Sequence, residues 1–440
     1  MEGLYKIITF GCQMNVHESE KIAGILQNKG YQPTNDENLA DVIVFNTCCI
    51  RQNAENTAKG NIGALKALKR KKKSLIIAVG GCMTQQDGAG EDLLQKYPYI
   101  SFVFGTHNLS KFDEMLDECI ARNNKGNKLY ISGELPIDEN VPVARDGKIS
   151  AFVNIMYGCN NFCSYCIVPY VRGRERSRKQ INVINDIKKL VIDGYKEITL
   201  LGQNVNSYGN DLNDGTSFAS LLQEIDKIEG EFRIRFMTSH PKDMLNEVID
   251  VIASSSKICN NIHLPIQSAS NSVLSRMNRK YTREKYLSII DYIRKKMPDC
   301  GITTDIMVGF PGESEEDFQD TLNLVKQVRF QGAFTFVYSI RKGTKAAEME
   351  QVPEEIKKDR IIKLVDLQNS IVKEESEKQI GKTFSVLCED VYPKKEGYCC
   401  GRTDSGRLVN FECPIERIGT FCKVKITSVK ASALIGTLEE

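Results

Sequence analysis

The chain has 440 residues, enough for roughly three domains at ~150 residues each and too long for a single hydrophobic core. Lys+Arg 59 against Asp+Glu 57 leaves a net charge of +2, which excludes a globally basic nucleic-acid coat but not a local basic groove. A hydrophobic share of 41% excludes extended disorder, and an odd 15 cysteines exclude a fully paired disulfide framework.

The N-terminal stretch MEGLYKIITFGCQMN has no charged segment leading into an apolar one, so no secretory signal is expected. No apolar run approaches the ~18–20 residues that span a bilayer, so the expectation is a cytoplasmic protein with no membrane association. The runs YKIITF, DVIVFN and SLIIAVG read as buried strands, with helical patterns between them such as SEKIAGILQNKG. Residues 1–121 are therefore expected to form an open parallel α/β sheet. The polar, Gly- and Asn-containing residues 122–148 read as a linker.

Over 149–378, the runs ISAFVNIMY, EITLLG, IRFMT, NIHLPI, TTDIMVGF and AFTFVYS alternate with helical stretches, predicting a partial (β/α)6 TIM-like barrel. A long charged helix should run from about Pro353 to Gln379. Residues 379–440 change to short strands with turn signals, predicting a small antiparallel β-barrel. The fold class is thus α/β and multidomain.

Cysteine carries the chemistry. Cys159, Cys163 and Cys166 form a CxxxCxxC pattern. Three thiolates leave one iron of a four-iron cluster open for a small ligand, whereas ordinary ferredoxin sites use four cysteines. A zinc site completed by a fourth residue, or a set of buried thiols, remains compatible with the spacing. Cys12, Cys48 and Cys82 each follow a predicted strand, and sites in open α/β sheets lie beyond the carboxyl ends of strands. These three could converge at one sheet edge, although cysteines buried at strand ends are also common. Cys49 would point away from Cys48 in an extended chain. It reads, with Cys399, Cys400 and the other cysteines, as a reduced structural thiol.

The segments Gly11-Cys-Gln-Met-Asn15, Asn46-Thr-Cys48, Gly80-Gly-Cys-Met83, Gly158-Cys-Asn-Asn-Phe-Cys-Ser-Tyr-Cys166, Leu201-Gly-Gln-Asn-Val-Asn206, Leu264-Pro-Ile-Gln-Ser268, Met277-Asn-Arg-Lys-Tyr281 and Asp305–Glu313 resemble the radical S-adenosylmethionine methylthiotransferases over nearly the whole chain. The C-terminal barrel resembles the RNA-associated TRAM domain. Asn46–Ala54 and Gly401-Arg-Thr-Asp with Val409-Asn-Phe411 are most similar to the MiaB-type tRNA enzymes of that family.

The resemblance implies an auxiliary [4Fe-4S] cluster on Cys12, Cys48 and Cys82 and a radical SAM [4Fe-4S] cluster on Cys159, Cys163 and Cys166. S-adenosylmethionine would be both radical source and methyl donor. The reaction implied converts N6-isopentenyladenosine at tRNA position 37 to its 2-methylthio derivative, by hydrogen abstraction from C2, sulfur insertion and methylation. Tyr165 is where the family places an aromatic beside the cofactor. Gly202, Gln203, Asn204, Ser239 and Gln267 end barrel strands, where ligand-facing loops lie, and complete the expected cofactor pocket. His240 and Gly309–Glu313 also end strands, where a hydrogen-bonded structural histidine and a turn with a helix start are the commoner readings and functional roles the rarer ones. His17-Glu18 replaces the family's aromatic-Asp, and Ala269 stands where Gly is common.

Arg172, Arg174, Arg176 and Arg178 follow the cysteine loop and could neutralise phosphates of a tRNA anticodon stem-loop. Arg402 and Arg407, near Phe411, are candidates for backbone and stacking contacts. The run Lys66 and Lys69–Lys73 reads equally as a helix end favoured by its dipole. A low-potential electron donor such as flavodoxin or ferredoxin and a monomeric state are expected. Rival readings are the same chemistry on threonylcarbamoyl-adenosine or a ribosomal-protein aspartate, and a non-catalytic iron–sulfur RNA-binding or sensor protein.

Overall fold

The computed structural model of the protein describes residues 3–49 and 52–439; Ile50 and Arg51, in the stretch after Cys48, lie outside them. The chain divides into two compact units. The first runs to Asp146 and takes in Met156–Asn160 and Ile167–Arg178. The second comprises Gly147–Ile155, Asn161–Cys166 and the chain from Lys179 onward.

The first unit is built on β1 (Gly3–Thr9), β2 (Tyr31–Pro33), β3 (Val42–Thr47), β4 (Ile76–Gly81), β5 (Phe102–Phe104) and β6 (Lys128–Tyr130), in the spatial order β2-β1-β3-β4-β5-β6. Every neighbouring pair is parallel. The central strands β3 and β4 are buried along their whole length, as a sheet covered on both faces requires. Alternate residues serve opposite faces. Ile43, Phe45, Ile77 and Val79 join Ile62 and Leu65 of helix Gln52–Lys71. Val42, Val44, Ile76 and Ala78 join Ile22, Ile25 and Leu26 of helix Gln13–Asn28 and Phe112, Met115 and Leu116 of helix Phe112–Ala121.

The sheet reaches into the segment expected as a linker. β6 pairs with β5, and Leu129 packs against the core of one face, although three residues are too few to show a period in the sequence. The cationic end of helix Gln52–Lys71 is tied down locally. Lys69 Nζ donates to the Lys73 carbonyl at 3.0 Å, and Lys72 Nζ donates to the carbonyls of Leu39 and Ala40.

The second unit opens with β7 (Ser150–Asn154). The chain then contributes an antiparallel ribbon to the first unit, β8 (Met156–Tyr157) with β9 (Arg176–Ser177). It continues in the second with β10 (Glu197–Leu201), β11 (Arg233–Phe236), β12 (Asn261–His263), β13 (Gly301–Val308) and β14 (Gly332–Val337). β7, β10 and β11 form one parallel sheet and β12, β13 and β14 another. A parallel bridge from Ile234 to Ile258 links the two into the six-stranded partial barrel that the periodicity predicts.

Helix Glu354–Glu377 runs back along this barrel. Arg360 near its start pairs with Glu313, just past β13, at 2.8 Å. Glu374 and Glu375 near its end pair with Arg329, just before β14. It thus leads from the carboxyl-end mouth to the base.

The C-terminal module is a closed barrel of β15 (Thr383–Val391), β16 (Tyr398–Thr403), β17 (Leu408–Glu412), β18 (Phe421–Lys430) and β19 (Ala433–Leu438), in the order β15-β16-β17-β19-β18. It is not wholly antiparallel as expected, because β17 and β19 pair in parallel to close it. The turn after β16 is fixed to the base of the larger barrel. Arg233 donates to the Arg402 carbonyl at 2.8 Å, and Arg235 donates to the carbonyls of Thr403 and Asp404. Glu197 accepts from both arginines, at 2.7 and 2.6 Å.

Candidate active site

The carboxyl ends of β1, β3 and β4 lie side by side, and each delivers one cysteine of the first triad. Cys12 stands two residues after the Phe10 that bonds to Asn46, at the start of helix Gln13–Asn28. Cys48 and Cys82 directly follow the paired Thr47 and Gly81. Gly11 passes over Cys48 at φ +114°, where a Cβ would lie 2.6 Å from Cys48 Cβ. Gly81, at φ +101°, leaves equally little room, its Cβ falling 2.3 Å from the Thr47 carbonyl oxygen. These positions demand glycine both for the backbone conformation and for the close approach.

Buried asparagines stitch the three loops together. Asn15 donates to the carbonyls of Phe10 (2.8 Å) and Thr47 (3.0 Å), and Asn46 donates to the carbonyl of Asn15 (2.8 Å). Cys49, expected to point away, packs in the same apolar cluster as Cys82 and its thiol hydrogen-bonds to the Cys82 sulfur. That bond, together with the Arg172 guanidinium, pulls the Cys82 thiol below its ordinary pKa against the effect of burial.

Arg172 is 5% exposed. Its two terminal nitrogens grip Glu18 at 2.6 and 3.1 Å, and one also donates to Asn15 Oδ1 at 2.9 Å. Burial disfavours its charge, but Cys82, Glu18 and Cys12 outweigh that and hold its pKa well above the ordinary value. From sequence, Arg172 is expected on the RNA, and Glu18 stands out only as a replacement for the family's Asp. The only sequence signal for the pair was Glu18 lying three residues beyond Asn15 on one helix, on the same face.

The second triad occupies the loop that follows β8, and the division between the two units falls within this loop, after Asn160. Cys159 N–H donates to the Gly173 carbonyl at 3.1 Å, and Asn160 N–H donates to Glu175. Further on, Ser164 is held by the Met277 and Arg276 carbonyls, and Asn278 donates to the Phe162 carbonyl at 2.9 Å. Arg279, buried, directs Nη1 to Cys163 Sγ at 3.4 Å while Nη2 donates to the Pro265 carbonyl at 2.9 Å. Its pKa is well above ordinary because Tyr281, Tyr165 and Cys163 together outweigh burial. Within the Met277–Tyr281 motif, sequence reasoning did not single out this cation beside the Cys163 thiol.

Tyr165 packs edge-on to Phe310 at 6.4 Å, among Val273, Met277 and Tyr338. Gly202, Gln203 and Asn204 follow β10, Ser239 follows β11 and Gln267 follows β12, so all five lie beyond the carboxyl ends of consecutive strands. Asn204 donates to Asp243 at 2.7 Å and accepts from His240 N–H at 3.1 Å. Gln267 is held at φ +67°. Ser239 Oγ, His240 Nε2, Asn206 Oδ1 and Tyr338 Oη are buried at this end of the barrel without a partner among the described residues. Each such atom costs ~1–3 kcal/mol unless something bonds to it, so this end suits a small polar ligand such as S-adenosylmethionine. His240 Nδ1 accepts from Lys242 N–H, which leaves the proton on Nε2. Burial, then Arg279 and Lys242, lower the His240 pKa to about 2, so the ring stays neutral.

The basic residues separate by burial. Arg178 is buried and paired with Glu139, so like Arg172 it presents no cation to solvent. Arg176 is half-buried, donating to the Leu135 carbonyl and contacting His107. Arg174 is exposed. Arg402 is exposed and paired with Glu389, while Arg407 is half-buried. Phe411 is fully buried in the small barrel and has no face free for stacking.

The chain matches three family descriptions: "Radical SAM superfamily" over residues 153–325, "Uncharacterized protein family UPF0004" over 4–105 and "TRAM domain" over 377–438. Among solved structures, the radical S-adenosylmethionine methyltransferase TsrM from Kitasatospora setae shares the fold at TM-score 0.59 and 14% identity, covering 79% of this chain and 77% of that one. A tRNA-2-methylthio-N(6)-dimethylallyladenosine synthase of Clostridium botulinum is 51% identical over 99% of this chain and 96% of its own. One of Carboxydothermus hydrogenoformans is 50% identical over 99% of each. Radical SAM membership brings with it S-adenosylmethionine and a [4Fe-4S] cluster. Sustained at such identity from end to end, the likeness places the chain in the tRNA-2-methylthio-N(6)-dimethylallyladenosine synthase family of radical SAM enzymes.

Proposed function

We propose that the protein converts N6-isopentenyladenosine at position 37 of tRNA to 2-methylthio-N6-isopentenyladenosine. The observation that carries the reading is a cysteine triad at the ends of three adjacent parallel strands, in a chain that also holds CxxxCxxC and is matched along its length by synthases of that name. Cys159, Cys163 and Cys166 hold the cluster that binds S-adenosylmethionine, and Cys12, Cys48 and Cys82 hold a second [4Fe-4S] cluster. When bound, these groups would supply radical chemistry from S-adenosylmethionine, the sulfur and the methyl group for substitution at adenine C2.

The chain's own residues shape these sites. Arg279 offsets thiolate charge at Cys163, and Arg172 does the same beside Cys82 and Cys12. Tyr165, Gly202, Gln203, Asn204, Ser239 and Gln267 line the cofactor, with Asn204 fixed by Asp243 and Ser239 Oγ free to bond to it. Of the six arginines singled out in the sequence, Arg174 and Arg402 are exposed for RNA phosphates. Arg402's surface ion pair, worth ~1 kcal/mol at most, is readily exchanged. Lys423 and Lys425 on the outer face of β18 join them. A flavodoxin or ferredoxin supplies electrons, and the protein works as a cytoplasmic monomer.

Nucleoside mass spectrometry of tRNA from a deletion strain tests the reading. Methylthio-isopentenyladenosine should disappear, with isopentenyladenosine accumulating; an unchanged level refutes it. In anaerobic assays, Cys163→Ala should abolish 5′-deoxyadenosine formation, whereas Cys48→Ala should retain cleavage and lose sulfur insertion.

A further inference from the structure

Four cysteines outside both triads meet inside the small barrel. Cys388 lies on β15, Cys399 on β16, Cys413 one residue past β17 and Cys422 on β18. All four are buried in one cluster. The sulfurs of Cys388, Cys399 and Cys413 lie within 4.8 Å of one another, the one such group of Cys, His, Asp or Glu ligand atoms among the described residues. Backbone bonds pin the segments that carry them. Cys388 N–H donates to Thr420 O at 3.0 Å, Gly419 N–H donates to Cys388 O at 2.8 Å, and Cys413 N–H donates to Gly397 O at 3.0 Å. Cys422 follows Thr420 by two residues and so faces the same interior.

We propose that Cys388, Cys399 and Cys413, with Cys422 as the fourth ligand, form a mononuclear thiolate site for a soft divalent cation of the Zn2+ type. Four sulfurs around one Zn2+ at ~2.3 Å stand ~3.8 Å apart, which small side-chain rotations reach from the spacing of Cys388, Cys399 and Cys413, while Cys422 joins by turning its thiol away from Thr420. Thiolates at the corners of a four-iron cubane stand farther apart, so the spacing favours a single ion.

The chemistry of the module points the same way. Cys388, Cys399, Cys400, Cys413 and Cys422 are dense for a module this small, and domains below ~70–80 residues commonly need a metal or disulfide staple. As plain core thiols they make weak bonds, among them Cys399 Sγ to Cys413 O at 3.5 Å, Cys413 Sγ to Pro414 O at 3.5 Å and Cys422 Sγ to Thr420 O at 4.0 Å. Binding replaces each thiol proton with a sulfur–metal bond and releases that proton to water, with no change of oxidation state.

The test uses the full chain with Cys12, Cys48, Cys82, Cys159, Cys163 and Cys166 replaced by Ala, exposed to ZnCl2 and dialysed. Elemental analysis should find close to one zinc per chain, and Co2+ in its place should give thiolate-to-metal charge-transfer absorption. Adding Cys399→Val and Cys413→Val, which keep the core apolar, should remove at least nine-tenths of the zinc while circular dichroism shows the barrel intact. In the iron-loaded wild-type chain, zinc-edge absorption should report three or four sulfur ligands at ~2.3 Å. Zinc absent from the folded six-alanine chain, zinc unaffected by the valine pair, or a disulfide among the four in reduced protein would each overturn the proposal.

Discussion

The Glu18–Arg172 pair allows a quantitative test of how the first triad's pocket is held. Both side chains are almost wholly buried, at 7% and 6% exposure, and the contact is bidentate. Replacing Glu18 by Met leaves an uncompensated guanidinium in a dry site, and replacing Arg172 by Met leaves an uncompensated carboxylate. Breaking such a pair costs ~3–5 kcal/mol, whereas exchanging both partners for apolar residues is often near neutral. The double variant keeps a smaller penalty of ~1–3 kcal/mol, because Asn15 Oδ1 loses the Arg172 donor at 2.9 Å. For a unit of about this size, ~1 kcal/mol shifts Tm by ~2–4 °C, so each single variant should melt ~6–20 °C lower. Thermal unfolding of the apo chain, followed by fluorescence and circular dichroism, measures this. A single variant within ~2 °C of wild type, or a double variant no more stable than the worse single one, would refute the reasoning.

Three further outcomes follow from named contacts. Arg279→Lys keeps the charge but loses the fork that joins Cys163 Sγ to Pro265 O, so 5′-deoxyadenosine formation should fall at least tenfold, read by chromatography. Gly11→Ala places a methyl on Cys48 at a positive φ, so it should destabilise the first unit by more than ~1 kcal/mol and lower the iron content after reconstitution. His240 stays unprotonated in the folded chain but gains a proton near pH 6.5 when unfolded. Its contribution to stability is therefore full above pH 6.5 and declines as pH falls from there toward 2. Its ring resonances should show no titration between pH 8 and 5.

What the sequence disclosed depended on period and punctuation. β1, β3 and β4 announced themselves as apolar runs ended by Gly or Thr, with a cysteine next, and their adjacency in a parallel sheet does the rest. β2, β5 and β6, at three residues each, are recruited by tertiary pairing and carry no periodicity of their own. The parallel closure of β17 on β19 is likewise a matter of barrel geometry, to which local patterns are blind. Charge misled most. Arg172, Arg174, Arg176 and Arg178 form one basic run on paper, yet only Arg174 is exposed, because Glu18 and Glu139 lie more than thirty residues away in sequence and claim two of the others. Arg279 was equally hidden, since its partners are a cysteine and a carbonyl supplied by distant loops.

Helix Glu354–Glu377 also works as a strut of fixed length. It separates the barrel mouth from the base to which Arg233 and Arg235 fasten the small barrel. Its contacts with the mouth at Arg360 and with the base at Glu375 lie 15 residues apart, ~22 Å at ~1.5 Å each, so a ligand that touches both that module and the mouth must bridge a distance of at least this order. The small barrel thereby acts as a fixed spacer, and a ligand that touches both it and the mouth has a minimum length set by the helix rather than by any side chain.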